Sequence, residues 1–192
     1  MALEEQRYGR NKSTLVNKAY IESGDYRKKF DKITDNPVVA RRLYEVSKKM
    51  LLHRSGTKIE DMYWLDFETG EEIVSITNQT SETEQEIVYT DRVIDAIADR
   101  ENLITLHNHP ASMPPSPDDF NAYYQNGYRI GLVICHDGTI YQYEAEQSVS
   151  TMLYGLYVYE YMEQGMSEKD AQLSALEEMK KNNKIDFWEV IA

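Results

Sequence analysis

Cysteine is nearly missing from this chain: Cys135 is the only one in 192 residues. An intrachain disulfide is therefore excluded, and oxidation cannot serve as a stabilising device. Long apolar runs are missing too, since none approaches the ~20 residues needed to span a bilayer. The opening stretch MALEEQRYGRNKSTLVNKAY has no apolar segment of the kind a secretory signal requires. These shortages lead us to expect a cytoplasmic chain with no membrane partner. Positive charge is in deficit, with 21 Lys and Arg against 33 Asp and Glu. The deficit is uneven: residues 1–54 hold 13 basic and 7 acidic side chains, and the remainder holds 8 and 26. Such an acidic body repels phosphate and argues against nucleic acid as a partner, leaving residues 1–36 as a solvated basic arm.

What is present fits an ordinary globular protein, 41% apolar and 28% charged, with no internal repeat or low-complexity tract. Asn36-Pro37 marks a boundary, after which VVARRLYEVSKKMLLHR places Val38, Val39, Leu43, Val46, Met50 and Leu51 at helical spacing, up to Ser55-Gly56. MYWLDFE and EEIVSITN read as a strand pair around Thr69-Gly70, and QTSETEQE as a loop. RVIDAIADREN is a helix with Val93, Ile94 and Ile97 on one face. ITLHNHP is a strand, SPDDFNAYYQNG a helix capped by Ser116 and closed by Gly127, and IGLVICHDGTIYQYEAE a hairpin. The last 45 residues read as two helices separated by Gly165. The class is α/β, with a core over 37–147, the N-terminal arm and a helical extension over 148–192.

The chemistry gathers in LHNHPASMPPSPDD, residues 106–119. On a strand, residues i and i+2 share a face, so His107 and His109 present two imidazoles side by side. A stiff loop with two prolines could fold the next helix back over the strand end, bringing Asp118 or Asp119 to the same point. Two His and one carboxylate with a fourth position open form a hydrolytic zinc ligand set.

The combination of HNHP at 107–110 and SPDD at 116–119 resembles the JAMM motif of the JAB/MPN+ zinc metalloproteases, and its wording is similar to the bacterial and phage RadC-like branch. The resemblance covers residues 40–147. It implies a cytidine-deaminase-like α/β core, a mixed sheet sandwiched by helices, with zinc held by His107, His109 and Asp119, the last position of SxxD. It implies that Ser116 steadies the tetrahedral intermediate. It also implies a general base at the junction of the first helix and first strand, where Glu60 precedes MYWLDF; Glu68, Glu71 and Glu72 at the hairpin turn are the rivals. The function so implied is hydrolysis of a peptide or isopeptide bond in a protein or peptide substrate by zinc-bound water. The competing expectation is a phage- or mobile-element-associated structural or interaction protein with this fold and little turnover.

Other residues invite plainer readings. Cys135 and His136 are adjacent on a strand, point to opposite faces and cannot form a nucleophile–base pair; Cys135 belongs in the core. His53 suits the C-terminal end of its helix. Tyr154, Tyr157 and Tyr161 follow helical spacing and should pack a helix against the sheet or a second subunit, or offer a platform for a bound peptide. The helical flanks are where a homo-oligomer or protein partner would attach.

Overall fold

The computed structural model describes residues 10–80 and 87–192. The loop expected over QTSETEQE thus falls mostly outside the described residues. Near the start, a 3-10 turn, Lys12–Thr14, is followed by short helices α1, Lys18–Ile21, and α2, Gly24–Phe30. The long helix α3, Pro37–Arg54, begins as expected: Asn36 accepts hydrogen bonds from the Val38 and Val39 amides, and proline occupies the first turn. Strands β1, Met62–Asp66, and β2, Glu72–Ile76, form the first hairpin, and α4 covers Asp91–Ile97. Then come β3, Leu103–His109; α5, Pro117–Asn126; β4, Ile130–Cys135; and β5, Ile140–Ala145. Helices α6, Thr151–Glu163, and α7, Glu168–Asn182, precede a final strand β6, Ile185–Glu189.

The strands make one mixed sheet in the order β2-β1-β3-β4-β5-β6. The class is α/β, as the alternation of strand and helix patterns implies. Among the described strands β3 and β4 form the one parallel pair, joined through α5; the other neighbours are antiparallel. Strand alternation sends residues to two layers. One face buries Tyr63, Leu65, Ile104, Leu106, Leu132 and Ile134 against α2 and α3. The other buries Met62, Trp64, Leu103, Val133 and Cys135 against Val93 and Ile97 of α4, Phe120 and Tyr123 of α5, and Leu176 and Met179 of α7. One close approach demands glycine: Gly131 stands opposite Tyr143, whose ring would lie 2.5 Å from an added Cβ.

Several details differ from the sequence expectation, among them helix α4, which ends at Ile97 and does not run on through ADREN. Val38 is 64% exposed, because the buried row of α3 runs Val39, Leu43, Val46, Met50 and excludes the first turn's outer side. Ile94 is likewise half exposed, since Val93 and Ile97, one turn apart, take the core face of α4. The C-terminal segment is not wholly helical: Ile185–Glu189 adds an edge strand to β5, with Ile185 and Phe187 buried and Asp186 between them only partly so. The basic N-terminal region is not a solvated arm as expected: Ile21, Tyr26 and Phe30 lie in the same apolar cluster as α3 and the strands, so its described part is built into the core. No helix of the described residues is long and apolar enough to cross a membrane.

Candidate metal centre

Strand β3 ends where its parallel partner β4 also ends, and ligand sites in α/β sheets form beyond such carboxyl ends. His107 and His109 project from β3 toward α5, and their Nε2 atoms stand 2.9 Å apart. Asp119, in the first turn of α5, points its carboxylate back at them: Oδ1 is 3.1 Å from His107 Nε2, and Oδ2 is 3.7 Å from His109 Nε2. Asp118 is exposed, and the third member of the group is Asp119.

Two local devices aim these groups. Ser116 and Asp119 form a reciprocal cap on α5: the Ser116 amide donates to Asp119 Oδ2 at 2.6 Å, and the Asp119 amide donates to Ser116 Oγ at 3.3 Å. One carboxylate oxygen is thereby committed to the helix start, leaving Oδ1 toward His107. The loop after Pro110 turns back at Ser112, which has φ of +57°, and its Met113 carbonyl accepts a hydrogen bond from His109 Nδ1–H at 3.0 Å. A proton fixed on Nδ1 leaves the Nε2 lone pair directed at the cluster, the usual second-layer arrangement behind a metal-binding histidine. The Cys135 thiol also donates to Met113 O at 3.5 Å, so its buried place in the core supports the same loop.

The donor set fits a divalent cation. Atoms about 2.0–2.1 Å from a tetrahedral zinc lie about 3.3–3.4 Å from one another. The separations of 2.9 Å between the histidines and 3.1 Å from His107 to Asp119 Oδ1 are a little shorter, and the 3.7 Å approach to His109 is made by the other Asp119 oxygen. All three groups could hold one metal ion. Burial alone would raise the Asp119 carboxyl, but His107, His109 and the Ser116 amide outweigh it and hold Asp119 well below the usual carboxylate range. The site thus keeps an anion ready in a largely dry setting.

Glu60 lies two residues before β1, separated from it by Asp61, and within electrostatic reach of His109 and Asp119. Burial pushes its carboxyl up to about 7, with His109 opposing the rise and Asp119 adding to it. A carboxyl poised near neutrality beside candidate metal ligands suits a general base. The rival Glu68 and Glu71 are exposed at the hairpin turn, while Glu72 is engaged with Arg42 and Ser75.

Several contributors were not visible in the sequence. Asn108, between the two histidines, points to the opposite face and bonds the segment that carries Glu60. Asp61, fully buried, accepts from Arg54 Nε at 2.5 Å and from His53 Nδ1 at 2.6 Å, while Arg54 Nη2 donates to Thr77 O. His53 therefore does more than sit near a helix end: it helps anchor the residue beside Glu60. Cys135 and His136 do point to opposite faces, and His136 Nδ1–H donates to Thr14 O at 2.7 Å. Tyr154 and Tyr157 pack, half-buried, against the apolar core layer that holds Phe120 and Tyr123, and Asp119 lies near enough to Tyr154 to help burial raise the phenol. Comparison with protein-family models, with curated proteins and with solved structures finds no match to this chain.

Proposed function

We propose that this chain is a zinc-dependent peptidase or isopeptidase of the JAMM type, built on a JAB/MPN-like core. The observation that carries the reading is the meeting of His107, His109 and Asp119 at one point, with the raised carboxyl of Glu60 within electrostatic reach of two of them. Spacing of residues in the chain did not guarantee that meeting; three separate segments, the stretch before β1, the end of β3 and the start of α5, converge on it.

His107 Nε2, His109 Nε2 and one Asp119 oxygen would hold the ion. A zinc ion bound there would acidify a water toward neutrality and polarise a carbonyl. Glu60, whose carboxyl burial raises to about 7 in the metal-free chain, suits taking a proton from water and returning it to a leaving amine. The Ser116 hydroxyl accepts from the Asp119 amide and keeps its own proton to donate, at the rim of the cluster, where it can steady developing negative charge on oxygen. Asp119 is tied to its helix start, so the ligand set is prearranged and does not need to be collected from a mobile loop.

One observation favours a partner-binding role beside turnover. Helix α6 buries no residue completely, and Met152, Leu156 and Tyr159 form an exposed apolar row, at 76%, 58% and 65% exposure. In the interaction-protein reading that row is the working surface and the metal site supports the fold.

Elemental analysis of the purified chain, with a His107→Ala/His109→Ala variant, tests the metal. About one zinc per chain is expected, lost in the variant. Glu60→Gln should keep zinc and lose at least ~10²-fold in hydrolysis of a quenched-fluorescence peptide library. Zinc-loaded protein that cleaves nothing, with no difference between the parent and Glu60→Gln, would hand the reading to the interaction protein.

A further inference from the structure

The middle residue of HNH has a task of its own. Strand alternation turns Asn108 away from the two histidines and into the layer under α3, where it is fully buried. There its side-chain amide grips the chain on both sides of Glu60. Oδ1 accepts from the Asp61 amide at 2.7 Å, and Nδ2 donates to the Ile59 carbonyl at 3.1 Å. The Asn108 backbone amide adds a bond to Asp61 O at 3.3 Å. We propose that Asn108 is the positioning residue for Glu60, setting the backbone from which that carboxylate reaches the metal centre; this rests on the reading of Glu60 as general base.

The need for such a grip follows from where β1 begins. Regular pairing between β1 and β3 starts at Met62 opposite His107. Glu60 lies beyond that ladder, so backbone pairing alone cannot fix it. Asn108 extends the ladder with a side chain, offering one acceptor and two donors in one plane. The second Nδ2 proton goes to His136 Nε2 at 3.0 Å, an acceptor because His136 Nδ1–H is spent on Thr14 O. Every Asn108 bond thus leads to a fixed group. From the other side Asp61 is held by Arg54 and His53. Ile59 and Asp61 are both pinned and the Asp61 side chain is drawn toward Arg54 and His53, so alternation along the chain directs Glu60, between them, to the other face, which is that of His107 and His109. The histidines and the base are therefore registered through adjacent atoms of one strand.

The test uses the full zinc-loaded chain with Asn108→Ala, Glu60→Gln and the double variant. Asn108→Ala should keep its zinc and exchange the Asp61 amide proton about tenfold faster, as loss of one buried bond implies. Its kcat on the peptide library should drop about 10²-fold with KM unchanged, the penalty of a misplaced group. The double variant should be no slower than Glu60→Gln alone, because Asn108 acts through that carboxylate. Asn108→Asp, which keeps the acceptor for Asp61 and loses both donors, should fall between Ala and the parent, and it serves if Asn108→Ala does not fold. Loss of zinc in Asn108→Ala would overturn the assignment by showing that Asn108 supports the ligands. So would unchanged kcat, or losses that add in the double variant. A parent that binds zinc and cleaves no peptide defeats the hydrolase reading instead; placement of Glu60 is then decided by Asp61 exchange, and an unchanged rate in Asn108→Ala overturns it.

Discussion

Replacing Glu60 by Gln should stabilise the metal-free protein, and by an amount that depends on pH. Burial raises the Glu60 carboxyl to about 7, against an ordinary value of 4.5. A carboxyl raised by folding binds its proton more tightly in the folded chain, so its contribution is fully present below 4.5 and is lost as pH climbs through 7. At 1.36 kcal/mol per pH unit, the gap from 4.5 to about 7 costs the fold about 3 kcal/mol at pH 8 and less than about 1 kcal/mol at pH 5. Gln does not titrate and escapes the penalty. Asp119 shifts the other way and loses its contribution as pH falls, but it is common to both proteins and cancels in the comparison. For a chain of this length each kcal/mol moves the midpoint by about 2–4 °C, so Glu60→Gln should melt about 6–12 °C above the parent at pH 8. Thermal unfolding followed by circular dichroism, in chelator, from pH 5 to pH 8, measures this directly. Saturating zinc should shrink the difference, because a nearby dication favours the charged carboxylate. Parallel midpoint curves for the two proteins in chelator would show that Glu60 does not lie in a dry, anion-facing position, and the assignment of a general base would go with it.

Zinc at a hundredfold over its dissociation constant should add about 2.7 kcal/mol, read as a rise in melting temperature of about 5–11 °C, and Asp119→Ala should abolish the rise. Ser116→Ala should cost about 1 kcal/mol through the lost cap and leave zinc bound; a fall in kcat of about 10²–10³ would support the oxyanion role, whereas unchanged kcat reduces Ser116 to a helix cap. Asp61→Asn strips the buried Arg54 of its counter-charge and should destabilise by about 3–5 kcal/mol in urea unfolding; a loss under 1 kcal/mol would mean that the pair is not what fixes that junction.

Local chemistry made much of the site readable from sequence. HNHP places two imidazoles by the period of a strand, and SPDD writes a helix start in four letters, so His107, His109, Ser116 and Asp119 could be named before their neighbours were known. Helix α3 and both hairpins follow from equally local signals. What escaped depends on contacts between distant residues. Asn108 meets the amide of Asp61, 47 residues away, and nothing near either residue hints at the other. Arg54 and Asp61 look like two surface charges until packing buries both. The strand at 185–189 is five residues long and gains its order from β5, which no window of sequence around it contains. Val38 and Ile94 were assigned inward because spacing identifies an apolar stripe more readily than its edges.

The cap shared by Ser116 and Asp119 makes the beginning of α5 and the third corner of the candidate metal site one object. Helix ends are the first parts of a helix to fray, and here fraying of a single turn would withdraw Asp119 from His107 and His109 together. An ion held at that corner would close the turn as a rivet closes a seam. The affinity of such a site and the open fraction of one helical turn would then be two readings of the same equilibrium.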